Sequence, residues 1–209
     1  MVERSRMVDE QLRRRGIRDP RVLAAFERVP RDEFVPPENV AYAYQDCPVS
    51  IGFEQTISQP YVVALMVQAL ELRGGERVLD VGAGSGYAAA ILACLAREVH
   101  AIERIPELAR GATDRLARLG FANVHVHAGD GALGWPGAAP YDAIAVAAAA
   151  PRVPVALYAQ LAVGGRLIAP IGDAHGQHLL CIRREAEDRY DEHDLGFVRF
   201  VPLVTPSAE

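Results

Sequence analysis

The chain has 209 residues, half of them hydrophobic and 23% charged, with 22 Lys and Arg against 27 Asp and Glu for a formal net charge of −5. That is a globular composition with no room for a long disordered tract, and its acidic balance offers no basic footprint for nucleic acid: the longest basic run, Arg13-Arg14-Arg15, sits beside Asp9 and Glu10 as a solvated helix face. Cys47, Cys94 and Cys181 are odd in number and far apart, which fits neither a disulfide framework nor zinc spacing, and no apolar run approaches the ~20 residues of a membrane span.

In chain order, residues 5–15 read as a short charged helix stopped by Gly16. Asp19-Pro20 restarts the chain as an N-cap and first helical residue, and Val22, Leu23, Phe26 and Val29 follow at helical spacing. Residues 38–58 read as one irregular loop, long enough to be functional. A regular alternation follows: helix 60–71, strand 77–81, helix 85–96, strand 98–103, a helix from Pro106 closed by Gly120, strand 123–127, strand 141–146, helix 154–162 and strand 165–170. Strands alternating with helices imply βαβ units, hence a doubly wound, mostly parallel sheet with helices on both faces. Two further strand-like runs, 177–183 and 195–203, have no helix between them and imply an antiparallel hairpin at the sheet edge. The expected organisation is one α/β domain over 1–209: N-terminal helices and loop (1–58), a cofactor-binding core (59–172), and a C-terminal hairpin and tail (173–209).

The turn Asp80-Val81-Gly82-Ala83-Gly84-Ser85-Gly86-Tyr87 joins a strand to a helix, where open α/β sheets bind ligands. Glycines let backbone approach a ligand, and the helix start favours a negative group. A dinucleotide fingerprint would place glycine three residues after Gly84, where Tyr87 stands. Asp80 would face a pyrophosphate badly but the cationic amino group of a methionine moiety well. Glu103, 21 residues after Gly82 at the next strand end, suits ribose hydroxyls, and Asp130 with Gly131 at the third strand end suits an adenine amine. Together Asp80, Gly82, Gly84, Ser85, Gly86, Glu103, Asp130 and Gly131 point to S-adenosylmethionine. Each acid taken alone would serve equally as a helix or turn cap.

The run Gly52-Phe53-Glu54-Gln55-Thr56-Ile57-Ser58-Gln59-Pro60-Tyr61 closely resembles the signature of the protein-L-isoaspartate O-methyltransferases. So do the glycine turn, Gly129-Asp130-Gly131 with Gly134-Trp135-Pro136, Gly164-Gly165-Arg166-Leu167 leading to Pro170-Ile171-Gly172, and the closing Val198-Arg199-Phe200-Val201-Pro202-Leu203. The resemblance spans about residues 3 to 204. It implies a Rossmann-like class I methyltransferase fold and transfer of a methyl group to the free carboxylate of L-isoaspartyl residues in damaged proteins and peptides, giving an ester that closes to a succinimide. It assigns Ser58 as the active-site residue, and Thr56, Ile57 and Gln59 to the acceptor. On residue type alone Ser58 could be only an N-cap before Pro60. A carboxylate of pKa ~3.5–4 is already ionised at neutral pH and needs no base, so the enzyme's task is positioning. The run 198–203 is a candidate edge for an extended peptide to join by strand addition.

Two residues depart from the family pattern: Glu54, expected to point to solvent or pair with an arginine, and Ala147, where a threonine is usual. His125 and His127 alternate along one strand without a third matching ligand, so no metal is expected, and Trp135 reads as packing. Tyr42 and Tyr44 either shape the acceptor pocket or pack in the core. The chain is expected to act as a cytoplasmic monomer without nucleic-acid or membrane partners. The alternative activity is methylation of aspartate in a dedicated peptide substrate. A non-catalytic binding module and a nicotinamide oxidoreductase fit the acids and the glycine spacing less well.

Overall fold

The computed structural model describes residues 2–173 and 175–203. Residues 204–209, the end of the expected C-terminal unit, lie outside the described residues. The chain opens with helix α1 (Val2–Met7), a π-helical turn Val8–Leu12 and a 3-10 turn Arg13–Arg15, closed by Gly16 in the left-handed conformation. Helix α2 (Pro20–Arg28) starts as its sequence dictates: Asp19 accepts from the Arg21 backbone N–H at 2.8 Å and Pro20 fills the first turn. Its apolar stripe Val22, Leu23, Ala25 and Phe26 is buried.

The stretch expected to be irregular holds a hairpin. Strands β1 (Val49–Gly52) and β2 (Gln55–Ile57) pair antiparallel, with Val49 opposite Ile57 and Ser50 opposite Thr56. The turn is carried by Phe53 and Glu54, at φ +53° and +58°. A two-residue hairpin turn with both central residues left-handed normally advertises itself with Asn or Gly. Neither residue does, so the turn is invisible in the sequence. Glu54 is exposed at its tip.

The core is a seven-stranded sheet: β3 (Arg77–Val81), β4 (Glu98–Glu103), β5 (Val124–Ala128), β6 (Tyr141–Val146), β7 (Leu161–Gly172), β8 (Gln177–Ala186) and β9 (Arg189–Val198), in the order β5-β4-β3-β6-β7-β8-β9. The pairs from β5 to β7 are parallel and the last two antiparallel. The connecting helices are α3 (Pro60–Ala69), α4 (Tyr87–Ala93), α5 (Pro106–Arg118) and α6 (Val155–Gln160). Alternate residues face opposite layers. Val78, Val99, Ala101, Ala143 and Ile168 join the N-terminal helices, α3, α4 and α5 in one core, while Leu79, Val81, Ile102, Ile144 and Leu167 join Leu157 of α6 in the other. The doubly wound expectation holds, with the second face covered more thinly, by α6 and short 3-10 turns.

The C-terminal hairpin is shifted from its expected place. The second strand is 189–198, not 195–203, and the turn falls at Glu187-Asp188. As an edge strand β9 is mostly exposed and lacks apolar alternation, so its apolar end alone looked like strand. Residues 200–203 instead cross the carboxyl ends of the parallel strands: the Ala149 N–H donates to the Val201 carbonyl at 2.8 Å and the Leu203 N–H to the Ala149 carbonyl at 2.7 Å. The Gln177 side chain clamps Phe200, accepting from its N–H at 2.7 Å and donating to its carbonyl at 3.1 Å. This segment is already hydrogen-bonded to the body of the protein, so it is not the free edge that strand addition needs.

Candidate active site

Strand order reverses at β3, whose neighbours are β4 and β6, and a crevice opens at its carboxyl end. The crevice is an inner chamber of about 1080 Å3 of empty space, continuous with solvent, with Asp80, Gly82, Gly84, Ser85, Glu103 and Gly131 in its wall. An outer chamber of about 940 Å3 adjoins it. Thr56, Ser58, Ala147 and Val201 line both.

Asp80 is 1% exposed, and neither carboxylate oxygen has a hydrogen-bond partner. Burial, reinforced by the charge of Glu103, pushes its pKa up to about 7. A buried carboxylate without donors is costly. Its donors must come from whatever fills the chamber, and a cationic amino group answers both the missing hydrogen bonds and the charge. S-adenosylmethionine therefore fits the residues present.

Glu103 holds the glycine turn against β4: Oε2 accepts from the Gly84 N–H at 2.7 Å and Oε1 from the Ile105 N–H at 2.9 Å. Each carboxylate oxygen keeps a second lone pair for a hydroxyl. Asp130 accepts from the Ala132 N–H at 2.9 Å and caps the turn Gly131–Leu133, outside the chamber lining, while Gly131 forms the wall itself. A Cβ on Gly131 would stand 2.5 Å from Val81 Cγ1, so the wall admits no side chain there. Gly86 also lies outside the lining. At φ +89° it starts α4, and a Cβ would come within 3.1 Å of Leu116 Cδ1, so its small size serves the packing of α4 on α5.

On the acceptor side Ile57 is buried in the inner wall and Thr56 is exposed in the shared wall. Ser58 is half-buried. The N-cap of α3 is Gln59, without a side-chain cap bond, so the cap reading of Ser58 is not realised. Among the described residues the Ser58 hydroxyl makes no hydrogen bond. The Gln59 side chain donates to Asp46 Oδ1 at 2.9 Å and lines only the outer chamber. Ala147 donates its N–H to the Val81 carbonyl at 2.8 Å, which puts its methyl group in the shared wall.

The feature that sequence reasoning missed is Arg31. In the stretch Val29-Pro30-Arg31-Asp32-Glu33-Phe34 it looks like one charge of a polar loop, yet it is fully buried. Its Nε donates to the Ala43 carbonyl at 2.7 Å and its Nη2 to the Ser58 carbonyl at 2.8 Å. Its guanidinium carbon lies 4.8 Å from the centre of the Tyr87 ring. Burial lowers its pKa and pushes that of Tyr87 up to about 12. Tyr87, the residue that breaks the dinucleotide pattern, is thus a core pin, edge-on to Phe26 and Phe34 at 6.0 and 5.5 Å. Arg31 ties that pin to the backbone of Ser58.

The remaining motif residues are structural. Gly134 stands where a Cβ would meet Gln160 Oε1 at 2.5 Å. Gln160 accepts from the Trp135 N–H and donates to the Leu133 carbonyl, both at 2.8 Å, and Trp135 stacks on His127 at 3.9 Å. His127 Nε2 lies 3.0 Å from His100 Nδ1, and His125 and His100 both approach Glu98. Among the described residues no group of three His, Cys, Asp or Glu is arranged to hold a metal. Tyr44 donates to Asp32 and accepts from Arg4, and Tyr42 is exposed; neither lines a chamber. No helix among the described residues is long and apolar enough to cross a membrane.

Comparison with known proteins gives a consistent result. Residues 3–208 match the family model described as protein-L-isoaspartate(D-aspartate) O-methyltransferase. A Marinobacter nauticus protein named protein-L-isoaspartate O-methyltransferase 2 is 61% identical over 202 residues, covering 96% of this chain and 92% of its own. A Methylorubrum populi protein-L-isoaspartate O-methyltransferase is 56% identical, covering 96% and 94%. A solved protein-L-isoaspartate O-methyltransferase superposes with a TM-score of 0.88 at 29% identity, over 97% of this chain and 66% of that one. A Plasmodium falciparum chain described as a beta-aspartate methyltransferase, in complex with S-adenosyl-L-homocysteine, gives a TM-score of 0.82 at 27% identity, covering 96% and 98%.

Proposed function

This chain belongs to the protein-L-isoaspartate(D-aspartate) O-methyltransferase family, and from that premise we propose which of its residues hold the donor, which hold the acceptor, and how they meet. The reaction is transfer of a methyl group from S-adenosylmethionine to the free carboxylate of L-isoaspartyl residues in proteins and peptides. When bound, the cofactor supplies an electrophilic methyl group on a sulfonium centre.

Asp80 binds the cofactor's amino group, Glu103 its ribose hydroxyls, and Gly82, Gly84, Ser85 and Gly131 give the close wall. Asp130 shapes the adenine end through the turn it caps, and Gly86 acts through the α4–α5 contact behind the loop. Ser58 is the acceptor residue: its unengaged hydroxyl donates to one carboxylate oxygen and aims the other at the inner chamber. Thr56 contributes beside it, Ile57 fixes the hairpin, and Gln59 braces the loop on Asp46. The observation that carries this reading is that Ser58 lines both chambers while its side chain caps nothing. The acceptor is already an anion, so no general base is required. What the chain must supply is alignment and exclusion of water, worth several powers of ten in rate.

The protein works as a cytoplasmic monomer and takes no nucleic acid, in keeping with its acidic balance. As a single domain it divides into the N-terminal helices with the acceptor hairpin, the cofactor core and the C-terminal hairpin. Calorimetric titration with the cofactor tests the site assignment: Asp80→Ala abolishes binding, while Ser58→Ala binds within about threefold of the parent and turns over about ten to a hundred times more slowly. Full activity in Ser58→Ala contradicts the role given to the hydroxyl.

A further inference from the structure

We propose that Arg199 is the cation that receives the acceptor carboxylate in the outer chamber, a substrate-binding residue that sets affinity for the anionic acceptor and favours release of the ester. The inference rests on the reading of the outer chamber as the acceptor site.

Charge is the first argument. The inner chamber is lined by two carboxylates, Asp80 and Glu103, and one guanidinium, Arg104, while Glu54 is exposed at the hairpin tip and the chain as a whole is at −5. The balance of charge in the inner wall and over the chain is negative, so an anionic acceptor gains from a cation of its own in the outer chamber. Among the residues lining the outer chamber, Arg199 is the one ionisable side chain. Ser58 and Thr56 supply hydroxyls but no compensating charge.

Geometry is the second. Val198 ends β9, and the backbone of Phe200 is clamped in both directions by Gln177, so Arg199 leaves from a backbone fixed on either side. Its side chain is exposed and, among the described residues, makes no hydrogen bond or ion pair. Several other arginines of this chain are engaged, among them Arg15 with Asp46, Arg77 with Glu98, Arg118 with Glu33 and Arg166 with Glu71. Arg199 presents a planar fork of donors, suited to both oxygens of one carboxylate, in the wall of the same chamber that Ser58 lines.

The chemistry decides which kinetic constant this contact controls. The reacting pair starts as carboxylate and sulfonium and ends as a neutral ester and a neutral thioether: the C–O bond forms, the S–CH3 bond breaks, and the electron pair stays on sulfur. The charge that Arg199 grips fades toward the transition state. Its contribution is therefore mainly to ground-state binding, so its loss raises KM and leaves kcat equal or higher. Once the ester has formed the grip is gone, so the product is released more readily than the substrate. Because the pair is exposed, its strength falls with salt.

The test is steady-state kinetics of Arg199→Gln and Arg199→Lys with an isoaspartyl peptide at saturating cofactor, at low and high ionic strength, with cofactor affinity measured in parallel. In Arg199→Gln, KM for the peptide rises about tenfold while kcat does not fall and cofactor affinity is unchanged. Arg199→Lys recovers most of the KM. The parent loses affinity as salt is added and Arg199→Gln does not. An unchanged KM in Arg199→Gln overturns the inference, as does a fall in kcat alone, which marks a structural role for the tail. If the parent itself leaves the isoaspartyl peptide unmethylated, the reading of the outer chamber fails and the inference falls with it.

Discussion

Asp80 and Glu103 end adjacent parallel strands, and the two carboxylates share one buried crevice in which Glu103 is satisfied by backbone N–H groups and Asp80 by nothing. Burial and the neighbouring charge together raise Asp80 from 3.8 to about 7. Glu103 holds the loop through these bonds, and Asp80 faces the crevice without a donor.

This has a consequence for stability. The folded chain holds the Asp80 proton more tightly than the unfolded chain does. The stabilisation is complete below about pH 3.8 and is lost as pH rises through about 7. It amounts to about 4 kcal/mol across that window. Asp80→Asn removes the titration while keeping the shape. Without cofactor, the variant is expected to match the parent near pH 4 and to exceed it by a few kcal/mol at pH 8, as read from urea unfolding at both pH values. A difference between the two proteins that does not change with pH would show that Asp80 is not held in this way.

Arg31 gives a second prediction, concerning the acceptor loop. Arg31→Met fills a similar volume but leaves the buried carbonyls of Ala43 and Ser58 without donors, a loss of about 1–3 kcal/mol for each. Relief of the buried charge offsets part of this, so thermal unfolding should report a net loss of about 2 kcal/mol. Because the lost bond positions Ser58 and not the cofactor wall, turnover should fall about tenfold with little change in cofactor affinity. Arg31→Lys should be intermediate, since an ammonium cannot span two carbonyls as a fork does. Turnover and stability in Arg31→Met equal to those of the parent would remove Arg31 from the account.

What the sequence disclosed follows from where each element sits. Strands 77–81, 98–103 and 141–146 are almost wholly buried, so their apolar runs read directly as interior strands. The Asp19 cap was equally legible because capping is local chemistry. Strand β9 was misplaced because an exposed edge needs no apolar alternation. The β1–β2 hairpin was missed because Phe53 and Glu54 adopt a left-handed conformation that costs about 1–2 kcal/mol per residue and that neither residue type advertises. Arg31 was missed because its partners are carbonyls 12 and 27 residues away, which leave no side-chain pattern. The three acids at successive strand ends were legible as a set. That Asp130 caps a turn beside the chamber while Asp80 faces into it emerges only from the fold.

Acting on isoaspartyl residues means telling their carboxylate from that of ordinary aspartate. The direct measurement is incubation with S-adenosylmethionine carrying a labelled methyl group and a pair of peptides identical except for L-isoaspartate or L-aspartate at one position. Base-labile label entering only the isoaspartyl peptide is the expected result. Equal labelling of both peptides, or labelling of neither, would contradict it.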